Sequence, residues 1–406
     1  MELSSKISSH NFYSFLWHAT FLALAQSFMD VDTVIPSMII ESGGKSMHIG
    51  IMTAIMLGGS SFTQLFFAPY ISNKPFKKKF LLFGIYSRII SLFALGFILF
   101  YLQGAQIGWV LWLIFLFITL FSLGGAFTNI SYIDIMGKSI GEERRKTFFS
   151  TKQIVVGIVV LVSAFFAKKL LVASEYPVNY AFMFFAGASL LLISSAGFWK
   201  IKEVIPSTFK INGFRDFIRI LRLELKENPK LIFFLGFINT QGIIISFLPF
   251  VMLYASESLN AQTADTGSFL LFKVIGVVSV SMIIFFVSKR IKYNPILYLN
   301  VILSVAIILI TMFVKDGSSL RYVFILGGMA FSLYTITMNG LLLEVSGREN
   351  RALYAGFAGA GNILPALFPL AGGWIISRIG FQFFFILFIL IVISSAYYIR
   401  KIDCKK

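Results

Sequence analysis

The sequence predicts an all-α membrane protein, with twelve transmembrane helices in two pseudo-symmetric six-helix bundles. Three observations predict it: apolar runs that recur along the whole chain, a one-sided distribution of Lys and Arg between them, and short matched segments in the two halves. The 406 residues are 57% hydrophobic and 13% charged, with a mean hydropathy of +0.85. A soluble domain is about 45–50% apolar and roughly 25% charged. One bilayer crossing takes about 20 mostly apolar residues. The chain supplies such runs at 12–40, 47–72, 80–102, 106–136, 147–172, 179–199, 231–256, 267–288, 294–314, 321–346, 350–378 and 380–399. Barrel strands are excluded, because they are about 10 residues long and alternate in polarity.

The charge follows the spans. With the N-terminus placed inside, 26 of the 35 Lys and Arg fall on one side: Lys6 and the segments 74–79, 138–146, 200–230, 289–292, 348–351 and 400–406. Six fall on the other side, and Arg88, Lys152 and Lys273 lie within spans. This is the positive-inside pattern. It predicts cytoplasmic termini and, with the Phe, Ile and Lys bias, a bacterial inner membrane. The net charge of +17 then belongs to topology, and no nucleic-acid partner is expected. Cys404 is the single cysteine, so no internal disulfide forms. The first run is too long for a cleaved signal and is expected to remain. Trp17, Trp109, Trp112, Trp199 and Trp374 sit near span ends, as interfacial anchors do.

The longest polar interval, 200–230, divides six spans from six. Within it Phe214, Phe217, Ile218, Leu221 and Leu225 recur at helical spacing opposite Arg215, Arg219, Arg222 and Lys226. That pattern predicts a basic amphipathic helix on the membrane surface, serving as a linker or a lipid sensor. The domains expected are therefore a bundle at 1–200, the linker at 201–230, and a second bundle at 231–406. The halves also match locally. "TVIPSMII" (Thr33–Ile40) aligns with "SFLPFVML" (Ser246–Leu253) through Pro36 and Pro249. "GEERRKTFFS" aligns with "GRENRALYAG" through Glu143/Glu349 and Arg145/Arg351.

With these features the chain resembles the major facilitator superfamily over nearly its whole length. The family signature between the second and third spans reads Gly-x-x-x-Asp-Arg-x-Gly-Arg-Lys. Here "PYISNKPFKK" holds that place, keeping Lys74, Lys77 and Lys78, with Asn73 for the acid and Phe76 for the second glycine. The fourth span lacks the arginine, and the fifth the Gly-Pro pattern, of the family's proton-coupled drug antiporters. The resemblance implies two bundles around a central cavity flanked by the first and seventh spans. It also implies a cytoplasmic gate of charge pairs, which Asp134, Glu143, Arg145, Glu344, Glu349 and Arg351 match. Solvated loop charges are the alternative for these six.

A charge at the bilayer centre costs about 2.5–3.5 kcal/mol on insertion scales, so it faces a cavity or a partner. On a regular helix Gln26, Asp30, Thr33 and Ser37 form one stripe, and Asp32 points away from it. The proline alignment sets Gln26 against Asn239 and Thr33 against Ser246, as a midplane site between repeats requires. Asp30 is therefore a candidate for solute binding or proton coupling, or else a structural ion-pair partner. For Arg88 the readings are an ion pair with Asp32 or contact with a substrate anion. Lys273 and Lys152 are expected to snorkel toward an interface, with Asp32 and Lys273 kept as structural or coupling charges. Gln241, Asn339 and Asn362, with Gln64 and Asn129, are further candidates for the cavity lining or for helix bridging. Three His and one Cys give no metal-ligand spacing, and no nucleophile–base pair or phosphate loop is present. Neither an enzyme nor a cofactor is expected.

The reading is a monomeric secondary active transporter that moves a small polar solute by alternating access, with protons as the candidate coupling ion at Asp30. An uncoupled facilitator or exporter, and a non-transporting membrane sensor or assembly partner, are the alternatives.

Overall fold

The computed structural model describes residues 3–101, 107–207, 214–287, 293–346, 357–359 and 361–402. Fifteen α-helices are placed in chain order. They are α1 (Ser5–Gln26), α2 (Val34–Glu41), α3 (Ser46–Ser72), α4 (Lys78–Tyr101), α5 (Ile107–Ser139), α6 (Glu142–Val172), α7 (Val178–Lys200), α8 (Phe214–Glu227), α9 (Pro229–Gln241), α10 (Phe247–Leu259), α11 (Thr263–Val287), α12 (Tyr293–Phe313), α13 (Leu320–Ser346), α14 (Ile363–Arg378) and α15 (Phe381–Ile402). Among the described residues no strand occurs, and ten helical segments are long and apolar enough to cross a membrane. The remaining two crossings are the first, which is broken between α1 and α2, and the second, α3. The amphipathic helix expected in the linker is α8, with Arg215, Arg219, Arg222 and Lys226 all exposed.

The chain divides into two compact units, Met1–Asp30 with Phe62–Phe217, and Val31–Ser61 with Ile218–Lys406. In the first unit α4 packs between α5 and α7, and α1 packs on α6 and α7. In the second unit α12 packs between α13 and α15, and α9 packs on α14 and α15. These are the same pairings with six spans added, so the repeat suspected from short sequence matches extends to the packing scheme.

Glycine sets the closest helix approaches. In the first unit a Cβ at Gly84 would lie 2.5 Å from the Gly124 carbonyl of α5. In the second, a Cβ at Gly276 on α11 would run into the Ile325 carbonyl of α13, and one at Gly328 into the Lys273 carbonyl. Backbone-to-backbone contact of this kind is how small residues associate helices where lipid removes the hydrophobic drive. Gly276→Val is therefore expected to destabilise the protein by about 1–3 kcal/mol, the usual cost of overpacking, read as a lower melting temperature. An unchanged melting temperature would show that α11 and α13 separate without penalty.

The buried face of α1 is largely small or polar: Ser8, Asn11, Ser14, His18, Ala19, Ala23 and Ala25. Asn11 shows why such residues are tolerated. Its Nδ2 donates to the carbonyls of Ser139 (3.2 Å) and Lys202 (3.0 Å), and its Oδ1 accepts from the Lys202 amide at 2.8 Å. Outside the spans, Asp316 starts the turn before α13 by accepting from the Ser319 amide and from the Ser318 and Ser319 hydroxyls. Those donors hold its carboxyl down at about 2.

Candidate functional site

The first and seventh spans are not continuous helices. In the first, α1 ends at Gln26 and a 3-10 turn covers Ser27–Met29. Asp30 is extended (φ −63°, ψ 127°), and helix resumes at Val34 behind Thr33 (φ −130°, ψ −60°). In the seventh, α9 ends at Gln241, a 3-10 stretch covers Gly242–Ser246, and α10 begins at Phe247. Under the proline alignment Val34 falls on Phe247 and Thr33 on Ser246, so both outer helices restart at the same repeat position. The eleventh span is interrupted too, at Asn362, before α14.

A proline stands at the same position in all three restarts. Pro36, Pro249 and Pro365 are each the third residue of their helices. Proline is tolerated in a first turn, but deeper in a helix its ring clashes with the carbonyl four residues back and a hydrogen bond is lost. Those carbonyls belong to Asp32, Ile245 and Gly361, each at an interruption. The regular-helix stripe expected for Gln26, Asp30, Thr33 and Ser37 is thereby overturned. Gln26 is exposed at the end of α1, Asp30 is half-buried in the break, and Thr33 and Ser37 are buried beyond it.

The break also separates the two carboxylates. Asp30 closes the Met1–Asp30 stretch of the first unit, whereas Asp32 lies in the Val31–Ser61 stretch of the second. Asp32 accepts an ion pair from Lys273 on α11, with Oδ2 to Nζ at 2.6 Å. The two residues are 8% and 7% exposed, so the charges face each other rather than water. This corrects one expectation: Lys273 does not snorkel but pairs with Asp32. A second bond ties α2 to α11, between the Ser37 and Thr266 hydroxyls at 2.8 Å.

The amides of the second unit serve the backbone and neighbouring helices. Asn239 on α9 donates to the Gly361 carbonyl (2.7 Å), while its Oδ1 accepts from the amides of Ile363 (3.1 Å) and Leu364 (2.8 Å). The first amides of a helix have no partner within it, and Asn239 acts as a cap reaching in from another span. Replacing it by Leu leaves both amides without that acceptor. The expected loss is about 1–3 kcal/mol in all, read by thermal unfolding, and unchanged stability would show that the interruption needs no cap. Gln241 is fully buried. Its Nε2 donates to Ser304 (2.9 Å) and its Oε1 accepts from Ser395 (3.0 Å), bridging α9 to α12 and α15. Ser246 is also fully buried, its hydroxyl donating to the Ile243 carbonyl. Asn339 is exposed on α13 and donates to Thr335, and Asn362 Oδ1 is buried without a partner among the described residues.

In the first unit two cations, Arg88 and Lys152, lie within spans. The Arg88 guanidinium lies over the Phe121 ring at 4.3 Å, and its Nε is buried without a hydrogen-bond partner. Lys152 is half-buried. Its Nζ stands 3.5 Å from the Tyr132 hydroxyl and 5.5 Å from that ring's centroid. His18 is buried, stacked on Phe198 at 3.6 Å, with Nδ1 2.6 Å from the Ser194 hydroxyl.

At the other end of α4 and α5 the acids are taken. Asp134 pairs with Lys77 (2.8 Å) and Lys138 (2.9 Å) and accepts from the Ser207 hydroxyl. Glu203 pairs with Lys138 at 2.8 Å and accepts the backbone amides of Lys77 and Lys78, capping the start of α4. Asp134, expected among the gate charges, is held by this lysine network, all within one unit. Arg145 instead donates to the Ile140 and Gly137 carbonyls at the end of α5, and Glu143 is exposed. Glu349 and Arg351 lie outside the described residues, as do the side chains of Glu344 and Gln64.

Sequence reasoning missed Thr266, Ser304, Ser395, Glu203, Phe121 and Tyr132 as partners. Only Glu203 carried a signal, as a lone acid just beyond the sixth span and among lysines.

The family profile described as Major Facilitator Superfamily matches residues 16–362. Among solved structures, the fold is similar to the nucleoside transporter NupG, with a TM-score of 0.70 and 12% identity over 97% of this chain and 100% of that one. A D-xylose-proton symporter gives 0.68 and 12% over 96% and 97%. A POT family transporter in complex with a thioalcohol-conjugated peptide gives 0.68 and 13% over 97% and 96%. No curated protein matches the chain. With a family profile over most of its length and twelve spans in the corresponding fold, the chain belongs to the Major Facilitator Superfamily, and it is a membrane transporter rather than an enzyme.

Proposed function

We propose that the protein is a secondary active transporter that carries a small polar solute by alternating access, with Asp30 as the proton-coupling acid. The observation that supports this reading best is the pair of interruptions at 27–33 and 242–246, with a half-buried carboxylate in the first. Interrupted helices free backbone groups for a solute or ion near the midplane of transporter repeats. Asp30 has no counterpart in the second half, where Ile243 takes its place, so the two repeats share one carboxylate at this position. Asp32 is assigned a structural role with Lys273.

In this reading Gln26, Arg88 and Asn362 reach the solute path. Thr33, Ser37, Asn239, Gln241 and Ser246 keep the interrupted spans in register, and Asn339, exposed on α13, is assigned to the lining of the path. Glu143, Glu344, Glu349 and Arg351 form the cytoplasmic gate, while Asp134 and Arg145 brace the first unit behind it. The protein works as a monomer in a bacterial inner membrane with both termini cytoplasmic. The solved relatives are named for a nucleoside, for xylose with protons, and for a peptide, a range that fits the fold and leaves the solute to this chain's own residues. The test is solute counterflow in proteoliposomes across a broad metabolite panel. Trans-stimulated exchange of at least one solute, absent from protein-free vesicles, is expected. Its absence across the panel would overturn the reading in favour of a non-transporting role.

A further inference from the structure

We infer that residues 31–61, made of α2, the turn after it and the first part of α3, form a hinged outer gate that the Asp32–Lys273 pair latches shut. The inference deepens the transporter reading and rests on it for what the movement serves. By sequence the segment belongs to the first six spans. Its packing is with the last six: Val31–Ser61 groups with Ile218–Lys406, and α2 packs on α10 and α11. The matching outer helix of the second repeat, α10, stays with its own half. Alternating access moves one repeat against the other. A segment continuous with one repeat and packed on the other therefore has to bend at its ends and let go.

Both ends fall where the backbone can bend. The first boundary, between Asp30 and Val31, lies in the interruption, where Asp30 is extended. The second, between Ser61 and Phe62, follows Gly58-Gly59-Ser60-Ser61 within α3, and paired Gly and Ser are among the usual sites of helix bending. Between the hinges the turn is fixed. Gly43 takes the left-handed conformation (φ 82°) that favours glycine. Its amide donates to the Ile40 carbonyl at 2.9 Å, and the Gly44 amide to Ile39 at 2.8 Å.

The contacts that hold the segment are of kinds that part and re-form. On the α2 side they include the Asp32–Lys273 pair at 2.6 Å and the Ser37–Thr266 hydroxyls at 2.8 Å. Water can solvate all four groups once they separate, and desolvation offsets much of the attraction within a buried ion pair. On the α3 side backbone lies on backbone. A Cβ at Gly50 would run into the Pro369 carbonyl of α14, and one at Gly373 would come 2.6 Å from the Ser46 carbonyl. Such a contact has no interlocked side chains to disengage at these points.

The test uses the full chain with Cys404→Ser, which removes its single cysteine. Ser37→Cys with Thr266→Cys then places one thiol on each side of the closed gate. Oxidation should join them and abolish counterflow of a solute found by the metabolite panel, and dithiothreitol should restore it. Full counterflow through the cross-linked protein would overturn the gate. Movement is also read without a solute, in nanodiscs. Thr266 is 2% exposed, so Thr266→Cys alone should react with a sulfonated maleimide only when the gate opens. The reaction should be faster when Asp32→Asn and Lys273→Met remove the latch, and slower when Gly58→Ala and Gly59→Ala stiffen the hinge. A folded protein that reacts in neither background, or at one rate with and without the latch, would overturn the inference. If the cysteine pair does not cross-link, the maleimide rates decide. Labelling that follows the latch in a protein that exchanges no solute sinks the transporter reading alone, and exchange that persists through the cross-link sinks the gate alone.

Discussion

Lys273→Met is expected to destabilise the protein by about 3–5 kcal/mol, the usual result of removing one partner from a buried ion pair. Methionine keeps the length and apolar stem of the lysine, so the loss isolates the ammonium. The Asp32 carboxylate, 8% exposed, then loses the cation that stands 2.6 Å from it. The double replacement Asp32→Asn with Lys273→Met should recover most of the loss, because a neutral pair of similar shape costs little to bury. The cycle of two single variants and the double, read by equilibrium unfolding in detergent, gives the coupling energy directly. Additive losses would mean that the pair contributes nothing beyond its separate side chains.

Asp30→Asn is expected to abolish accumulation driven by a pH gradient while leaving solute exchange in place. Asparagine preserves shape and hydrogen bonding but cannot release a proton. The accumulation ratio should fall to unity in proteoliposomes, with counterflow retained. Loss of counterflow together with accumulation would move Asp30 from coupling to solute binding. Retained accumulation would assign the proton to another group.

The two carboxylates show how much of the site was legible in the sequence and where legibility stopped. The spans, the amphipathic helix and the halves could be read because each rests on local periodicity or composition over many residues. The break between Gln26 and Val34 could not be read that way, since the stretch contains no glycine or proline and only Ser27 and Thr33 are polar beside the acids. Treating it as a regular helix placed Asp30, Thr33 and Ser37 on one false stripe. The signal that existed was Pro36, whose ring disfavours helix over the carbonyl four residues earlier. Read with Pro249 and Pro365, it marks all three restarts. The partners of Asp32 and Gln241 were not legible at all. Lys273, Ser304 and Ser395 lie more than 60 residues away along the chain, and which helix faces meet is a matter of tertiary packing. Depth along a span suggested Arg88 for Asp32, but depth alone says nothing about azimuth.

The account turns on a division of labour across the first-span break, with Asp32 locked to Lys273 and Asp30 carrying the proton. Solute-induced proton movement, followed with pyranine trapped in proteoliposomes, tests this most directly and needs no labelled substrate. Wild type should acidify the lumen when the transported solute is added outside. Asp30→Asn should stay silent, and the folded Asp32→Asn with Lys273→Met double variant should still respond. A response that survives in Asp30→Asn, or that vanishes in the folded double variant, would contradict the account.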